Sequence, residues 1–206
     1  MDLDELLALP GAAEEVELRS RFGFMAFHGG RLEEMTDVVA SLAATLADAS
    51  YYGILTPADA PHLPSTAFQP SASPALARFL DHVEVVVTVH GYGRNGLWTS
   101  LLAGGSNRDL AAHVAAHLRP ALPDYEIVDD LDAIPDGLRG LHPENPVNRP
   151  SQGGVQLELP PRVRGTSPLS PPRDRDGLSE PTRALSVALA KAAMTWDLGD
   201  DEGPEL

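Results

Sequence analysis

Two histidines each end an apolar run directly before a glycine, and a glutamate follows the first of them. The stretch FMAFHGGRLEEMT (24 to 36) ends an apolar run at His28, and Glu33 follows after two glycines. The stretch VEVVVTVHGYG (83 to 93) ends a second apolar run at His90, again directly before a glycine. Two neutral imidazoles and one carboxylate are a known catalytic ligand set for zinc, with one position left for water. His28, Glu33 and His90 are therefore predicted to bind a zinc ion.

The same residues also have an ordinary structural explanation. A histidine at the end of a strand is often only hydrogen-bonded, and a glutamate five residues after a histidine is a weak signal when it stands alone. The repetition of an apolar run followed by His-Gly is what favours the metal site over that explanation.

Glu158 is the candidate general base. In the strand VQLEL (155 to 159), Val155, Leu157 and Leu159 alternate with Gln156 and Glu158, so the two polar side chains share one face. If that face is solvated, Glu158 is an ordinary surface residue. If it meets the metal site, Glu158 takes a proton from the activated water and passes it to the leaving amine, with Gln156 beside it as a substrate-binding group.

Loop arginines are the candidate cations. Arg149, in NPVNRPSQGG, is predicted to be the catalytic cation that stabilises the oxyanion or holds a substrate carboxylate. Asn148, next to it, and Arg94, in HGYGRNG, are predicted substrate-binding residues. Loop arginines are usually solvated, and this alternative is stronger for Arg94 than for Arg149. Arg162 and Arg164 extend a basic rim or are surface charges.

Other kinds of site have weaker support. His113 and His117 in HVAAH have the spacing of a zinc-binding helix, but Val114 stands where the zinc-peptidase motif requires glutamate. There is no G-x-S-x-G nucleophile motif and no phosphate-binding loop with its lysine. The absence of cysteine excludes thiolate ligands and cysteine nucleophiles. Metal-assisted hydrolysis and simple binding are the functions left.

The elements that must position these residues alternate between strands and helices. Strands are predicted at 15–19, 22–27, 51–55, 83–90, 97–105, 125–131 and 155–159, and helices at 36–48, 74–81, 106–120 and 180–193, with Thr36 as the N-cap of the first. This order predicts an α/β fold with a mixed, largely parallel sheet and helices on both faces. Ligands bind such sheets at the carboxyl ends of the strands, where both His-Gly turns are expected. Residues 1–196 are predicted to be a single catalytic domain and 197–206 an acidic, disordered tail.

Charge and composition limit the partners. The formal net charge is −15, with six acids and one arginine in residues 1–20 and five acids and no base in residues 197–206. Nucleic acids and anionic membranes need a basic face, so neither is expected as a partner. The start MDLDELLALPG lacks the basic residues and the long apolar run of a secretory signal, which predicts a cytoplasmic location. The oligomeric state is left open.

Five segments, taken in order, resemble the poly-γ-glutamate hydrolase family: HGGRLEEMT, HLPSTAF, VTVHGYG, LLAGGSN and NPVNRPSQGGVQLELPPRVR. The resemblance extends over about residues 20–193. It implies an α/β fold related to zinc carboxypeptidases and hydrolysis of γ-glutamyl amide bonds in poly-γ-glutamate. It also implies zinc bound by His28, Glu33 and His90, with Glu158 in the role of the general base. The family usually reads Gly-Ile-Glu-Pro-Gly-Thr where residues 31–36 read Arg-Leu-Glu-Glu-Met-Thr.

The expected substrate is an anionic γ-glutamyl peptide or polymer. Because the protein is itself acidic, a polyanionic substrate requires a local basic groove, for which Arg94, Arg149, Arg162 and Arg164 are the candidates. If these arginines do not cluster near His28, a short γ-glutamyl peptide or a small N-acyl amino acid is favoured. The remaining alternative is a catalytically inactive family member that serves as a binding module.

Overall fold

Seven strands form one sheet in the computed structural model, which describes residues 1–198. The strands are β1 (Ala13–Glu17), β2 (Phe22–Gly30), β3 (Ser50–Thr56), β4 (Val85–Gly91), β5 (Ser100–Ala103), β6 (Glu126–Val128) and β7 (Gly154–Leu159). Their order is β1-β3-β2-β4-β7-β5-β6, and only the β1–β3 and β5–β7 pairs are antiparallel among the pairings in these residues. The predicted mixed, largely parallel sheet is confirmed. Most of the predicted acidic tail, residues 199–206, lies outside the described residues.

Helices cover both faces of the sheet, as predicted. On one face, α1 (Leu3–Leu7) and α3 (Pro74–His82) pack against Met25 and Phe27 of β2. On the other face, α2 (Thr36–Ala47), α4 (Arg108–Ala121) and α5 (Glu180–Thr195) share one core with Phe24 and Ala26 of the same strand. Strand β2 is apolar up to His28 because its successive side chains enter two different cores. None of the described helices is long and apolar enough to cross a membrane.

The start of α2 differs from the prediction. Its N-cap is Met35, which has φ = 76° and makes no capping bond with its side chain. Thr36 is instead the first helical residue, and its hydroxyl donates to the Glu33 carbonyl at 2.8 Å. The predicted N-cap at Thr36 was wrong because the chain turns sharply at Met35, at a position where the family usually has glycine.

The carboxyl ends of β2, β4 and β7 lie side by side at one edge of the sheet. These three strands are parallel neighbours, and His90 of β4 is in register with Glu158 of β7. His28 lies near the end of β2, which continues beyond the predicted limit at residue 27 to Gly30. Three of the four residues predicted to bind zinc or to act as the general base therefore come directly from strands of the sheet.

Candidate active site

Glu33 lies at the centre of a group of histidines. The loop after β2 turns back on itself, and the Glu33 amide donates to the His28 carbonyl at 2.7 Å. This turn places Glu33 Oε1 at 3.1 Å from His28 Nδ1 and Oε2 at 3.5 Å from His90 Nδ1. The Gly91 amide donates to Oε2 at 2.7 Å. The carboxylate is only 8% exposed, so its position is fixed by these contacts.

The tautomer of His28 follows from its hydrogen bonds. Its Nε2 lies 2.8 Å from the Leu63 carbonyl, which can only accept, so Nε2 carries the proton of a neutral ring. Nδ1 then carries a lone pair and, although buried, has no hydrogen-bond partner among residues 1–198. Burial lowers the pKa of His28 and favours this neutral form. A lone pair that faces a carboxylate oxygen at 3.1 Å is repelled by it unless a cation lies between them.

His90 lies on the other side of the same carboxylate. Its ring is buried, 5.2 Å between centroids from the ring of His28. Its Nε2 is a second buried nitrogen without a hydrogen-bond partner. Burial would lower the pKa of His90, but the contact with Glu33 outweighs burial and raises it. His90 is therefore held close to a negative charge, as His28 is.

The charge of Glu33 is maintained by these neighbours. Burial alone would raise the pKa of Glu33, but the histidines around it, His62 and His90 among them, outweigh burial and hold that pKa well below its usual range. The ionised form of the carboxylate, which is the form that binds a metal ion, is therefore favoured. An anionic oxygen with imidazole nitrogens around it fits a zinc ion.

A third histidine, His62, joins the group. Its Nε2 lies 3.4 Å from Glu33 Oε1, and its ring lies 4.3 Å from that of His28. His28, Glu33 and His62 each offer one ligand atom, and these atoms lie within 4.8 Å of one another. His62 was not among the predicted ligands, although it lies in the segment HLPSTAF. The usable signal was topological, since this loop follows β3, whose carboxyl end lies beside that of β2.

Glu158 is held by a chain of buried amides. Asn145 Nδ2 donates to Gln156 Oε1 at 2.8 Å, and Gln156 Nε2 donates to Glu158 Oε1 at 2.9 Å. Burial raises the pKa of Glu158, while His90 and the Gln156 amide oppose this rise. Gln156 was predicted to bind substrate, but both ends of its amide are already engaged. Its amide holds one oxygen of Glu158, and substrate binding by Gln156 stays a prediction.

One cavity of about 240 Å³ brings these side chains together. Its lining includes His28, Glu33, His90 and Glu158, so the face of β7 that carries Glu158 meets the histidines rather than solvent. The remaining lining residues are His62, Pro64, Ser65, Gly91, Tyr92, Gly137, Leu138 and Gln156.

The residues predicted around Arg149 lie elsewhere. Arg149 is exposed, donates to Gln69 Oε1 at 2.6 Å, and is not among the residues that line the cavity. The Asn148 side chain is fully used within the loops, because it donates to the Gly140 and His142 carbonyls and accepts from the Ser106 amide. The structure does not bring either residue to the metal site.

The other arginines have three different environments. Arg94 is exposed at the rim of the cavity. Its Nη2 would lie 3.7 Å from a Cβ atom placed on Gly137, which lines the cavity. Arg162 lines a separate cavity of about 600 Å³ with Trp98 and Leu169. Arg164 is buried against Gly91 and donates to the carbonyls of Leu159 and Glu34 at 3.2 and 2.8 Å. The four candidate arginines therefore do not form one basic groove at His28.

Comparisons with known proteins agree with this fold. The chain superposes on the structure of a bacteriophage poly-γ-glutamate hydrolase with a TM-score of 0.72 and 21% identity, covering 88% of this chain and 87% of that one. The structure of zinc-free YNDL superposes with a TM-score of 0.73 and 21% identity, and the match covers 90% of each chain. The structure of a gene product of Agrobacterium tumefaciens superposes with a TM-score of 0.51 and 11% identity, covering 88% of this chain and 93% of that one.

The sequence was also compared with curated proteins and with family models. No curated protein sequence matches the chain significantly. The model of the poly-γ-glutamate hydrolase family matches residues 10–167, which include every residue of the cavity described above. The chain therefore belongs to the poly-γ-glutamate hydrolase family and is a hydrolase.

Proposed function

We propose that this protein is a zinc-dependent hydrolase of γ-glutamyl amide bonds. The observation that carries the proposal is the opposition of the His28 Nδ1 lone pair and the Glu33 carboxylate at 3.1 Å, in the cavity that Glu158 also lines. Without a cation between them, these two groups repel each other. Glu158 lines the same cavity and can accept a proton there as a general base. Membership of the poly-γ-glutamate hydrolase family supports the γ-glutamyl bond as the target.

His28, Glu33 and His90 are the residues that we propose hold the ion. When bound, zinc supplies a Lewis acid that acidifies water and polarises the amide carbonyl. The surrounding backbone orients the ligands, since the Leu63 carbonyl fixes the tautomer of His28 and the Gly91 amide fixes one oxygen of Glu33. The chain has no cysteine, and a set of nitrogen and oxygen donors with a hydrolytic base nearby suits zinc.

Glu158 takes the proton from the attacking water and returns it to the departing nitrogen. Gln156 occupies Oε1, and the described residues offer no hydrogen bond to Oε2, which is therefore the oxygen that exchanges the proton. Its raised pKa brings the carboxyl closer to the working pH, where a base can both accept and release a proton.

The size and charge of the site favour a short substrate. A cavity of about 240 Å³ is smaller than the roughly 300–1,000 Å³ of ordinary ligand sites, so it encloses little more than one residue. Arg94 at the rim is the proposed partner for a substrate carboxylate. Because Arg149 does not line the cavity and Arg162 lines a different one, we favour short γ-glutamyl peptides over the binding of a long polyanion along a basic groove. Hydrolysis of small N-acyl amino acids is the second candidate, favoured by the same small cavity.

The test combines zinc content with hydrolysis of γ-glutamyl oligomers. Wild type should contain zinc and cleave the oligomers, and Glu158→Gln should keep the zinc and lose about 10²- to 10⁴-fold in kcat, as expected for loss of general acid–base catalysis. The exposed Glu144→Gln is the matched control and should behave as wild type. Bound zinc with no Glu158-dependent turnover of any amide would instead identify a binding module. Turnover of N-acyl amino acids alone would identify the second candidate.

A further inference from the structure

His62 differs from the other two histidines of the site in its exposure. Its side chain is 58% exposed, whereas those of His28 and His90 are 2% and 4% exposed. It belongs to the loop between β3 and the short 3-10 turn Ser65–Ala67, while the other two belong to strands. His62 is therefore the member of the group whose side chain has room to move.

The backbone around His62 is nevertheless well anchored. Leu63, the next residue, is 6% exposed and packs in the core between the sheet and α1 and α3. Its carbonyl accepts the hydrogen bond from His28 Nε2. Pro61 and Pro64 restrict the backbone on both sides. Movement of His62 is thus a rotation of its side chain, which leaves Leu63 and the tautomer of His28 undisturbed.

The geometry gives this side chain access to the same ion as the buried ligands. Its Nε2 and His28 Nδ1 both approach Glu33 Oε1, at 3.4 and 3.1 Å. His90 Nδ1 lies 3.5 Å from the other carboxylate oxygen, so three imidazoles surround one carboxylate. Zinc with four protein ligands is closed, as in structural sites, whereas catalysis requires a position that water or substrate can occupy. One of the four groups must then be exchangeable, and only His62 is exposed.

We propose that His62 is an exchangeable fourth donor, which binds the ion held by His28, Glu33 and His90 in the resting enzyme and leaves it when substrate enters. The inference rests on the proposed zinc-dependent function. The exchange would replace the coordination bond to His62 Nε2 with one to the entering ligand, and no covalent bond is made or broken.

Substitution with cobalt(II) tests this assignment without reference to activity, because the visible spectrum of the ion reports its ligands. The full chain is compared as wild type, His62→Ala and His90→Ala, with the exposed His142→Ala as the control. We expect His62→Ala to bind cobalt with an affinity about ten- to a hundredfold lower and with a changed spectrum. Free imidazole should restore the wild-type spectrum in His62→Ala. His90→Ala should lose more affinity, and His142→Ala should match wild type.

The possible failures are distinguishable. If His62→Ala and wild type bind cobalt with the same affinity and spectrum, His62 is not a donor, and the proposed function stands without it. If His62→Ala loses the metal as completely as His90→Ala does, His62 is a permanent ligand and its exchange is refuted. If wild type binds neither cobalt nor zinc, both this inference and the proposed function fail.

Discussion

The protein contains two clusters of histidines whose rings are almost equally far apart but whose surroundings differ. In the active-site cluster, the rings of His28 and His62 lie 4.3 Å apart. In the second cluster, on α4, the rings of His113 and His117 lie 4.5 Å apart. The first cluster surrounds a buried carboxylate and contains two buried nitrogens without hydrogen-bond partners.

The histidines on α4 have ordinary partners. His113 Nε2 lies 3.0 Å from the Ala192 carbonyl, and His117 Nδ1 lies 3.0 Å from the His113 carbonyl. The Thr195 hydroxyl lies 3.3 Å from His113 Nε2 and 3.2 Å from His117 Nε2. These contacts attach α4 to the end of α5. The proposed metal site therefore differs from the α4 pair in its anionic centre and its unsatisfied nitrogens, and not in the spacing of its rings.

Loss of the anionic centre should have the largest effect. In Glu33→Gln the three nearby histidines face a neutral amide, which is a much poorer ligand than a carboxylate. We expect zinc binding and hydrolysis to be abolished, as measured by metal analysis and turnover of γ-glutamyl oligomers. Glu34→Gln, one residue further on, should retain both. Full zinc occupancy in Glu33→Gln would show that the anionic centre is not what distinguishes the first cluster from the second.

Arg164 should have the next largest effect, through the loop that carries Glu33. Arg164→Met removes a buried guanidinium that donates to the carbonyls of Glu34 and Leu159. Leaving these acceptors unpaired should cost about 2–4 kcal/mol of unfolding free energy, measured in urea, and should weaken zinc binding. Arg162→Met, at an exposed position, is the control. Unchanged stability would show that the β2–α2 loop does not need this support.

The pH dependence of activity should report the environment of Glu158. A base must be deprotonated, so kcat/KM should fall as pH decreases through the raised pKa of Glu158. Gln156→Leu removes an amide that stabilises the ionised form, so the pKa should rise further and the acidic limb should move up by about one pH unit, or 1.4 kcal/mol. Gln152→Leu is the control. A shift towards lower pH would contradict the positioning role of Gln156.

The histidines on α4 should give the smallest effect. His117→Ala removes one hydrogen bond to Thr195 of α5 and one to the His113 carbonyl within α4, and should cost about 1 kcal/mol of unfolding free energy. Zinc content and turnover should not change, because both rings are satisfied within the helix pair. A loss of bound zinc in this variant would mean that the second cluster also binds metal.

Part of this site could be predicted because it depends on local patterns. An apolar run that stops at His-Gly identified His28 and His90, and alternation along VQLEL put Glu158 on a polar face. The order of strands and helices predicted the mixed sheet, which brings the carboxyl ends of these strands to one edge. The alternation of a strand repeats every two residues and the apolar stripe of a helix about every four, so both are visible in the sequence itself.

Tertiary structure decided the rest. His62 reaches Glu33 because a loop of 57–64 folds over the sheet edge, and Arg149 misses the cavity because its loop directs it to Gln69 instead. The amide chain from Asn145 to Glu158 likewise joins a loop to a strand. The sequence by itself determined which strands end in reactive side chains, since strand periodicity is local. Only the packed structure determined which loop residues join them, since loop positions depend on contacts between residues far apart in the chain.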